Sequence, residues 1–522
     1  MKKLLILIIA SAMVVSSCKK TLLDTTPDDR YIQSTFWKTE QAATAALTGA
    51  YQALTYSGLY GGDATPLFEE TATPNAYNYD NTSSWNSIAE GLQSASTGGI
   101  ITSRWGDSYS GVGRCNSFLA NVDKVPDMSE DLKTRMKGEA HFLRALFYFN
   151  LENYWGDVPL VVDAPDPVTQ DSLPRTPREQ VVQQMLSDLD SAALVLPLKY
   201  GSSDLGRATK GAALALKAKI LLFEASPLFN TTNDINRWKT AADALKAVMD
   251  IAPDAGYGLY PDYRGLFLPE NENNKEVIFD VQFIYPLEGN SFDLIDRQYN
   301  SNAPLLGLAE AYQMKNGLPI TDPLSGYNPD LPYENRDPRL YATIVFPGDQ
   351  YMGAKVKPSR FAITGYGVEK YSIYTDAKPP NGLGDLKGGQ SYTNYIVLRY
   401  ADILLMYAEA QNEFAGPDPS VYDAINKIRK RAGMPDIPAG LSQDDMREAI
   451  HQERRVEFAC EGYYYNDIRR WKTAENVMNA TIYAWDHTSI ETRKFNPAKD
   501  YWWPIPQSEL DLNSKLTQNK GY

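Results

Sequence analysis

The chain has 522 residues, 43% hydrophobic and 22% charged, which is the composition of an ordinary globular protein and excludes a largely disordered one. The formal net charge is −14, and no long basic run follows the N-terminus. Because phosphate contacts need clustered Lys and Arg, this charge balance argues against nucleic acid as a partner. Tyr is abundant, with 34 residues against 17 Phe, and its ring with a polar tip suits a wet binding surface.

The N-terminus has the pattern of a targeting signal. Residues 1–3 carry two Lys, residues 4–15 are almost wholly apolar, and small residues lead to Cys18. This pattern predicts a signal peptide over residues 1–17. The residues before Cys18 resemble the bacterial lipobox, which implies cleavage there, lipidation of Cys18 and a stable membrane anchor. Ordinary secretion with an incidental Cys18 is the alternative, and the polar residues 22–30 predict a tether.

An Ala-rich helix is predicted next, over residues 36–54, where small residues recur at helical spacing. The following residues, 55–103, break this pattern: they are rich in Gly, Thr, Asn and Ser and poor in aliphatic side chains. A long irregular segment inside a compact protein is usually functional or disordered, and the aromatic residues here favour function. We call residues 55–103 the first insertion.

Helical periodicity then dominates residues 104–250, with apolar repeats over 132–154, 176–196, 209–225 and 236–250. Pairs of such helices, with alternating small and large residues, resemble tetratricopeptide repeats. Trp105 falls on an apolar helix face, so we predict that it belongs to the core. His141 has no second His nearby, and we predict a structural, hydrogen-bonded residue.

The helical period fades again over residues 255–395, which are rich in Gly, Pro, Asn and Tyr and contain short strand-like runs such as 277–284. We call residues 255–395 the second insertion. The turn at 336–339 is interpreted as structural. Helical patterns return over 395–413 and 421–431.

Three carboxylates mark the helix predicted near the C-terminus. Helical spacing places Glu453, Glu457 and Glu461 along one side of it, and Glu453 falls on the apolar stripe. A carboxylate that faces a core is costly unless a cation meets it. We therefore predict a structural ion network that joins helices. Gly462 suits the helix end, because Gly tolerates the left-handed conformation found there.

No motif marks catalysis or a cofactor. The chain has no P-loop, GxGxxG, HExxH or GxSxG pattern, and no CxxC or Cys/His cluster. We predict no catalytic residue, no metal site and no cofactor. A glycosidase needs two facing carboxylates, and 65 acidic residues leave that alternative open. A disulfide between Cys115 and Cys460 is conceivable, but both lie in helical patterns where a lone Cys usually acts as a small buried hydrophobe.

These motifs together resemble the SusD/RagB family. Its C-terminal signature is matched by Glu453, Arg454, Glu457, Glu461, Gly462, Asp467, Ile468, Arg470 and Trp471. Further family-like motifs lie in the right order at 138–145, 154–160, 395–402 and 426–433. One position departs: Tyr464 stands where the family usually has Arg, which puts one ion pair in question but not the fold.

The resemblance implies one domain over residues 18–522, mostly α, in which a tetratricopeptide-like α/α superhelix carries the ligand site on its two insertions. The scaffold would cover about 36–54, 104–250 and 395–475. The implied function is that of a lipid-anchored protein on the surface of the outer membrane, which captures glycan and delivers it to a SusC-like TonB-dependent transporter. A peptide- or glycoprotein-binding lipoprotein on the same scaffold is the first alternative, and a hydrolase the second.

Aromatic and amide side chains of the insertions are the candidate ligand contacts. A pyranose ring can lay its C–H face on an aromatic ring, while its hydroxyls need polar partners at the edge. The predicted residues are Trp85, Tyr77, Tyr79, Asn75, Asn81 and Asn86 in the first insertion, and Tyr285, Arg297 and Tyr299 as an opposing wall in the second. Trp85 is the leading candidate, and the alternative is that it only fixes the loop.

Overall fold

The computed structural model describes residues 36–61, 65–376 and 385–522. The predicted signal peptide, Cys18 and the tether lie outside these residues. Within the described parts, no helix combines the length and apolarity that crossing a bilayer requires.

Nine helices of thirteen or more residues form the scaffold of the described chain. They are α1 Glu40–Gln52, α2 Ile100–Asn121, α3 Glu130–Trp155, α4 Arg178–Val195, α5 Lys210–Ala225, α6 Ile235–Ala255, α7 Tyr400–Ala415, α8 Pro419–Arg431 and α9 Gln443–Glu457. Neighbours in sequence pack as pairs, α3 along α4 and α5 along α6, and α6 also packs along α7. The predicted mostly α, tetratricopeptide-like architecture is confirmed.

Local chemistry explains where these helices begin and how closely they pack. The side chains of Ser129, Thr209 and Ser442 each accept a backbone N–H in the first turn of α3, α5 and α9. A Cβ atom at Gly111 of α2 would lie 2.4 Å from the Phe147 ring of α3. Gly111 therefore permits the close approach of these two helices.

The remaining elements are short. The short helices are Thr65–Glu69, Trp85–Ala89, Pro167–Gln170, Phe292–Leu294, Leu306–Ala311, Pro338–Tyr341, Tyr464–Arg470, Ala474–Val477 and Gln507–Leu512. The strands are β1 Ala76–Tyr77, β2 Val277–Val281, β3 Ala303–Pro304, β4 Ile344–Val345, β5 Gln350–Tyr351, β6 Ala354–Lys355, β7 Gly367–Val368, β8 Tyr395–Arg399, β9 Thr481–Tyr483 and β10 Ser489–Thr492. They pair antiparallel as β1–β3, β2–β8, β4–β7, β5–β6 and β9–β10.

Strand pairing brings the two insertions together. Ala76 of β1 pairs with Pro304 of β3, and Tyr77 pairs with Ala303. The second insertion is also fixed to the scaffold, because β2 pairs with β8 and β8 runs directly into α7. A surface built from both insertions is thus held by backbone hydrogen bonds.

The predicted ion network lies at the junction of α9 with the second insertion. Glu453 meets Arg429 at 2.8 Å, and Glu461 meets Lys370 at 2.6 Å and Arg399 at 2.7 Å. All of these side chains are buried. The network is structural, as predicted, because each of these charges has a buried partner. The helix ends at Glu457, however, so the predictions that Glu461 lies on it and that Gly462 ends it are wrong.

Several smaller predictions are also confirmed. Trp105 is buried. His141 Nδ1 lies 2.7 Å from Asp188 Oδ1. Cys115 and Cys460 are both free and buried, so no disulfide joins them. Tyr464, the departure from the family signature, packs its ring 5.0 Å from the guanidinium of Arg455 instead of forming an ion pair.

Candidate functional site

Trp85 is a core residue, and its prediction as the leading ligand platform is wrong. Its relative exposure is 0%. Its ring meets Trp503 edge to face at 5.9 Å, and the guanidinium of Arg104 lies 5.7 Å from the ring. Trp503 continues the aromatic cluster to Trp155 at 5.4 Å. No face of Trp85 reaches solvent, so a sugar cannot lie on it in this structure.

Asn75 is likewise unavailable to a ligand. It is fully buried, and its Nδ2 donates to Glu70 Oε1 at 2.6 Å. Its Oδ1 accepts from Arg455 Nη2 at 2.7 Å. The prediction of Asn75 as a ligand contact is therefore wrong, because its amide cross-links the first insertion to α9.

The amides of residues 78–86 mostly build the turn that carries Tyr79. The backbone N–H of Asn86 donates to Asn81 Oδ1 at 3.0 Å, and Asn86 Nδ2 donates to the carbonyl of Asn78. Asn78 Nδ2 in turn donates to the carbonyl of Thr82 at 3.0 Å. Asn86 is half-buried within this turn, whereas Asn81 is exposed.

Tyr79 and Tyr299 present exposed rings, one from each insertion, and they are near enough for Tyr299 to act electrostatically on Tyr79. Their relative exposures are 43% and 46%. The pKa of the Tyr79 hydroxyl is raised by partial burial and further by its neighbours Asp80 and Tyr299. The β1–β3 pairing, with Tyr77 opposite Ala303, brings the two chain segments to this point. We call these two rings the tyrosine platform.

Arg297 lies two residues before Tyr299 and is only partly accessible. Its Nη1 meets Asp385 Oδ2 at 3.4 Å, and its Nη2 donates to the carbonyl of Leu386 at 3.4 Å. Arg360 donates from Nη2 to the backbone carbonyl of Arg297 at 2.7 Å. The exposed Arg360 was not predicted as a candidate ligand contact, because this residue follows Pro358 in an irregular stretch with no periodic signal.

Tyr285 lies further along the second insertion. Its ring is 40% exposed and packs 6.1 Å from the ring of Tyr392. Glu288, three residues later, accepts a hydrogen bond from Thr55 Oγ1 at 3.4 Å. Glu288 and Thr55 both line an open groove of about 580 Å³ between α1 and β2. Tyr285 therefore stands near a groove at the edge of the scaffold.

Tyr77 is half-buried in β1 and lies near an acidic pair. Burial raises the pKa of Glu90, and the nearby charge of Glu491 raises it further. Arg493 Nε donates to Glu491 at 3.1 Å.

Within the described ranges 36–61, 65–376 and 385–522, no group of three or more His, Cys, Asp or Glu side chains is placed to hold a metal ion. Glu69 and Glu70, which are adjacent in sequence, are both buried and contact different partners. Glu69 meets Arg104 at 3.2 Å, while Glu70 accepts from Asn75.

Comparison with known proteins places the chain among SusD-like proteins. Residues 275–522 match the SusD family, and residues 21–222 match a family described as starch-binding and associating with the outer membrane. The SusD-like protein P25 of Formosa agariphila is 27% identical over 97% of each chain.

Two solved structures extend this likeness to the fold. A SusD-like carbohydrate-binding protein from Bacteroides fragilis superposes with a TM-score of 0.80 at 27% identity, covering 92% of this chain and 100% of that chain. Another SusD-like protein from Bacteroides fragilis gives 0.79 at 29% identity, covering 95% and 100%. The fold of paired helices with two joined insertions is therefore that of a SusD-like protein. The chain belongs to the SusD/RagB family.

Proposed function

We propose that the protein binds glycan at the tyrosine platform, is anchored to the outer membrane by a lipid on Cys18, and passes its ligand to a SusC-like TonB-dependent transporter. The observation that carries the binding proposal is the pair of exposed rings, Tyr79 and Tyr299, which belong to the two insertions that β1 and β3 join. The SusD-like relative described as carbohydrate binding supports the same ligand class.

The chemistry of the platform suits a sugar. A pyranose has an apolar C–H face, which gains by covering an aromatic ring and excluding water from it. Its hydroxyls keep their hydrogen bonds when amides and charged groups stand at the edge. The exposed Asp80, Asn81 and Gln298 flank the two Tyr rings in sequence and can serve as such partners.

Tyr285 and Arg297 extend the proposed surface over the second insertion. Leu386, whose carbonyl accepts from Arg297, belongs to the apolar cluster against which Tyr392 packs, and Tyr392 contacts Tyr285. A bound chain of several sugars could then contact the platform and Tyr285 together. Tyr77 and Asn86, which are half-buried, would contribute less.

The binding proposal is tested by screening a soluble Cys18→Ser form against glycan arrays and against peptide pools. We expect binding to a set of chemically related glycans and none to the peptides. Binding to peptides alone would favour the alternative, a peptide-binding lipoprotein. Incubation with the same polysaccharide should release no reducing ends, whereas steady product release would reveal a hydrolase.

Delivery to a transporter is tested by gentle solubilisation of outer membranes that contain both proteins. We expect the protein to co-purify with a SusC-like channel. Recovery of the protein alone, from an extract in which the channel is present and intact, would contradict the proposal.

A further inference from the structure

The segment that carries Tyr299 on its exposed side has two buried carboxylates on its other side. Asp293 and Asp296 have no exposed surface, and they stand one helical turn apart on the same face of the segment 292–299. Asn300 and Asn302 follow directly and are also buried. Asn302 donates to Asp296 and Asp293 acts electrostatically on Asp296, so we call these four residues of one short segment the polar cluster behind Tyr299.

Four of the six side-chain oxygen atoms of these residues have no hydrogen-bond partner among the residues that the structure describes. Asp293 Oδ1 accepts from the backbone N–H of Ile373 at 2.7 Å, and Asp296 Oδ1 accepts from Asn302 Nδ2 at 3.0 Å. The other carboxylate oxygen of each Asp, together with Oδ1 of Asn300 and Oδ1 of Asn302, is buried without a hydrogen bond to any residue in the described parts of the chain. An unpaired buried oxygen is costly, so four from one short segment require an explanation.

The charges around the cluster do not balance. Arg264 is the cation that acts on both Asp293 and Asp296, but it also pairs with the buried Glu369 at 3.3 Å. If all three carboxyl groups ionised, they would carry two negative charges more than the one guanidinium compensates, and burial raises the pKa of each of them. Buried charge without compensation is strongly unfavourable. The cluster must therefore take up protons or bind a cation.

The unpaired atoms identify the cation that fits. They are two carboxylate and two amide oxygens, with no nitrogen or sulfur among them. Ca²⁺ is bound by six to eight oxygens from Asp carboxylates, Asn carbonyls, backbone carbonyls and water, in flexible geometry. Mg²⁺ demands a stricter octahedron and keeps its waters, while Zn²⁺ favours His and Cys.

We propose that Asp293, Asp296, Asn300 and Asn302 bind one Ca²⁺ ion behind Tyr299. The ion would let both Asp side chains ionise and would use the four unpaired oxygens. It would also fix the segment that leads from Tyr299 into β3. The sequence-based expectation of no metal site considered only Cys and His motifs, to which amide oxygens contribute nothing.

The test is calcium titration of the full mature chain after treatment with a chelator, followed by calorimetry and by the melting temperature, Tm. We expect one site, with affinity in the range of extracellular calcium modules, about 10⁻⁴–10⁻³ M, and a Tm that rises with Ca²⁺. Asp296→Asn should weaken calcium binding by more than about tenfold and abolish the rise in Tm. Asp254→Asn, an exposed change on α6, should respond like the wild type.

The Asp296→Asn variant also separates the ion from simple protonation, because Asn resembles a protonated Asp in shape. If Asp296 is merely protonated, the wild type shows no calcium response and the variant is as stable as the wild type without calcium. That result would overturn the proposal. An equal calcium response in wild type and Asp296→Asn would also overturn it, because the ion would lie elsewhere. If Asp296→Asn does not fold, Asn302→Ala serves as the second ligand variant with the same expectations.

Discussion

Arg399 Nη1 donates to Glu457 Oε1 across 2.8 Å, with both side chains fully buried. Glu457 also pairs with Arg431 and, at 3.0 Å, with Arg339. Burial opposes ionisation of Glu457, but the charges of these three Arg outweigh it and hold the pKa of Glu457 well below its usual value. One carboxylate thus joins the end of α9 to β8, α8 and the helix Pro338–Tyr341.

Removing that charge should destabilise the whole junction. Glu457→Gln leaves three buried guanidinium groups short of one negative charge, and we expect a loss of about 3–5 kcal/mol in the free energy of unfolding. Urea unfolding measures this loss. Glu448→Gln, an exposed change on the same helix, should alter the free energy by less than about 0.5 kcal/mol. Similar stability for both variants would contradict the structural role.

Trp85 should matter for stability rather than directly for binding. Trp85→Ala removes a fully buried ring from the cluster with Trp503, and we expect a loss of about 3–5 kcal/mol. Tyr79→Ala is the matched control, because its ring is exposed and should change stability by under about 0.5 kcal/mol. Thermal and urea unfolding of both variants check this. A stable Trp85→Ala protein that had lost glycan binding would restore the sequence-based prediction.

The burial of Trp85 could not be predicted from the sequence. Local composition placed it in a polar, irregular segment, which is typical of an exposed binding loop. Its core partner Trp503 is more than 400 residues away in the chain, and no periodic pattern records that contact. The prediction of Asn75 as a ligand contact failed for the same reason, because its partner Arg455 lies far away in the sequence, on α9.

The scaffold and the ion network were more predictable, because their signals are local. Helical spacing alone places Glu453 and Glu457 on one face, and burial of that face requires cations. The identity of those cations was not predictable, since Arg339 and Arg399 come from the distant second insertion and its edge. Likewise Tyr79 and Tyr299 could be named as candidates from the sequence, but only the β1–β3 pairing shows that their chain segments meet.

Glu70 should make stability depend on pH near neutrality. Burial raises its pKa to about 7, although Asn75 donates to it and Lys370 and Arg455 lie near, while Glu461 raises it further. The unfolded chain ionises near its ordinary value of 4.5. Because the pKa of Glu70 is higher in the folded chain, its contribution to the free energy of unfolding is fully present below pH 4.5. This contribution is lost as the pH rises through about 7.

Glu70→Gln stays neutral at every pH and should remove this loss. We expect the variant to gain stability relative to the wild type between pH 5 and pH 8, by up to roughly 3 kcal/mol. Urea unfolding at the two pH values measures the gain, and Glu448→Gln serves as the exposed control. Parallel pH profiles for Glu70→Gln and the wild type would contradict the assignment.

Cys18 should carry the membrane anchor. Cys18→Ser removes the thiol that the lipobox-like sequence predicts to be lipidated, so the protein should move from the membrane fraction to the soluble fraction. Fractionation in cells that lack the partner channel measures this shift, and Cys115→Ser provides the matched cysteine control. A Cys18→Ser protein that remained in the membrane fraction would place the anchor elsewhere.

Glycan binding by the double variant Tyr79→Ala/Tyr299→Ala tests the proposed site most directly. Each ring should contribute about 0.5–1.5 kcal/mol, so loss of both should weaken affinity roughly 5- to 150-fold in calorimetric titration. The Tm should stay within a few degrees of the wild type, and Leu194→Ala, an exposed apolar change on α4, should bind normally. Unchanged affinity in the folded double variant would contradict a glycan site at the tyrosine platform.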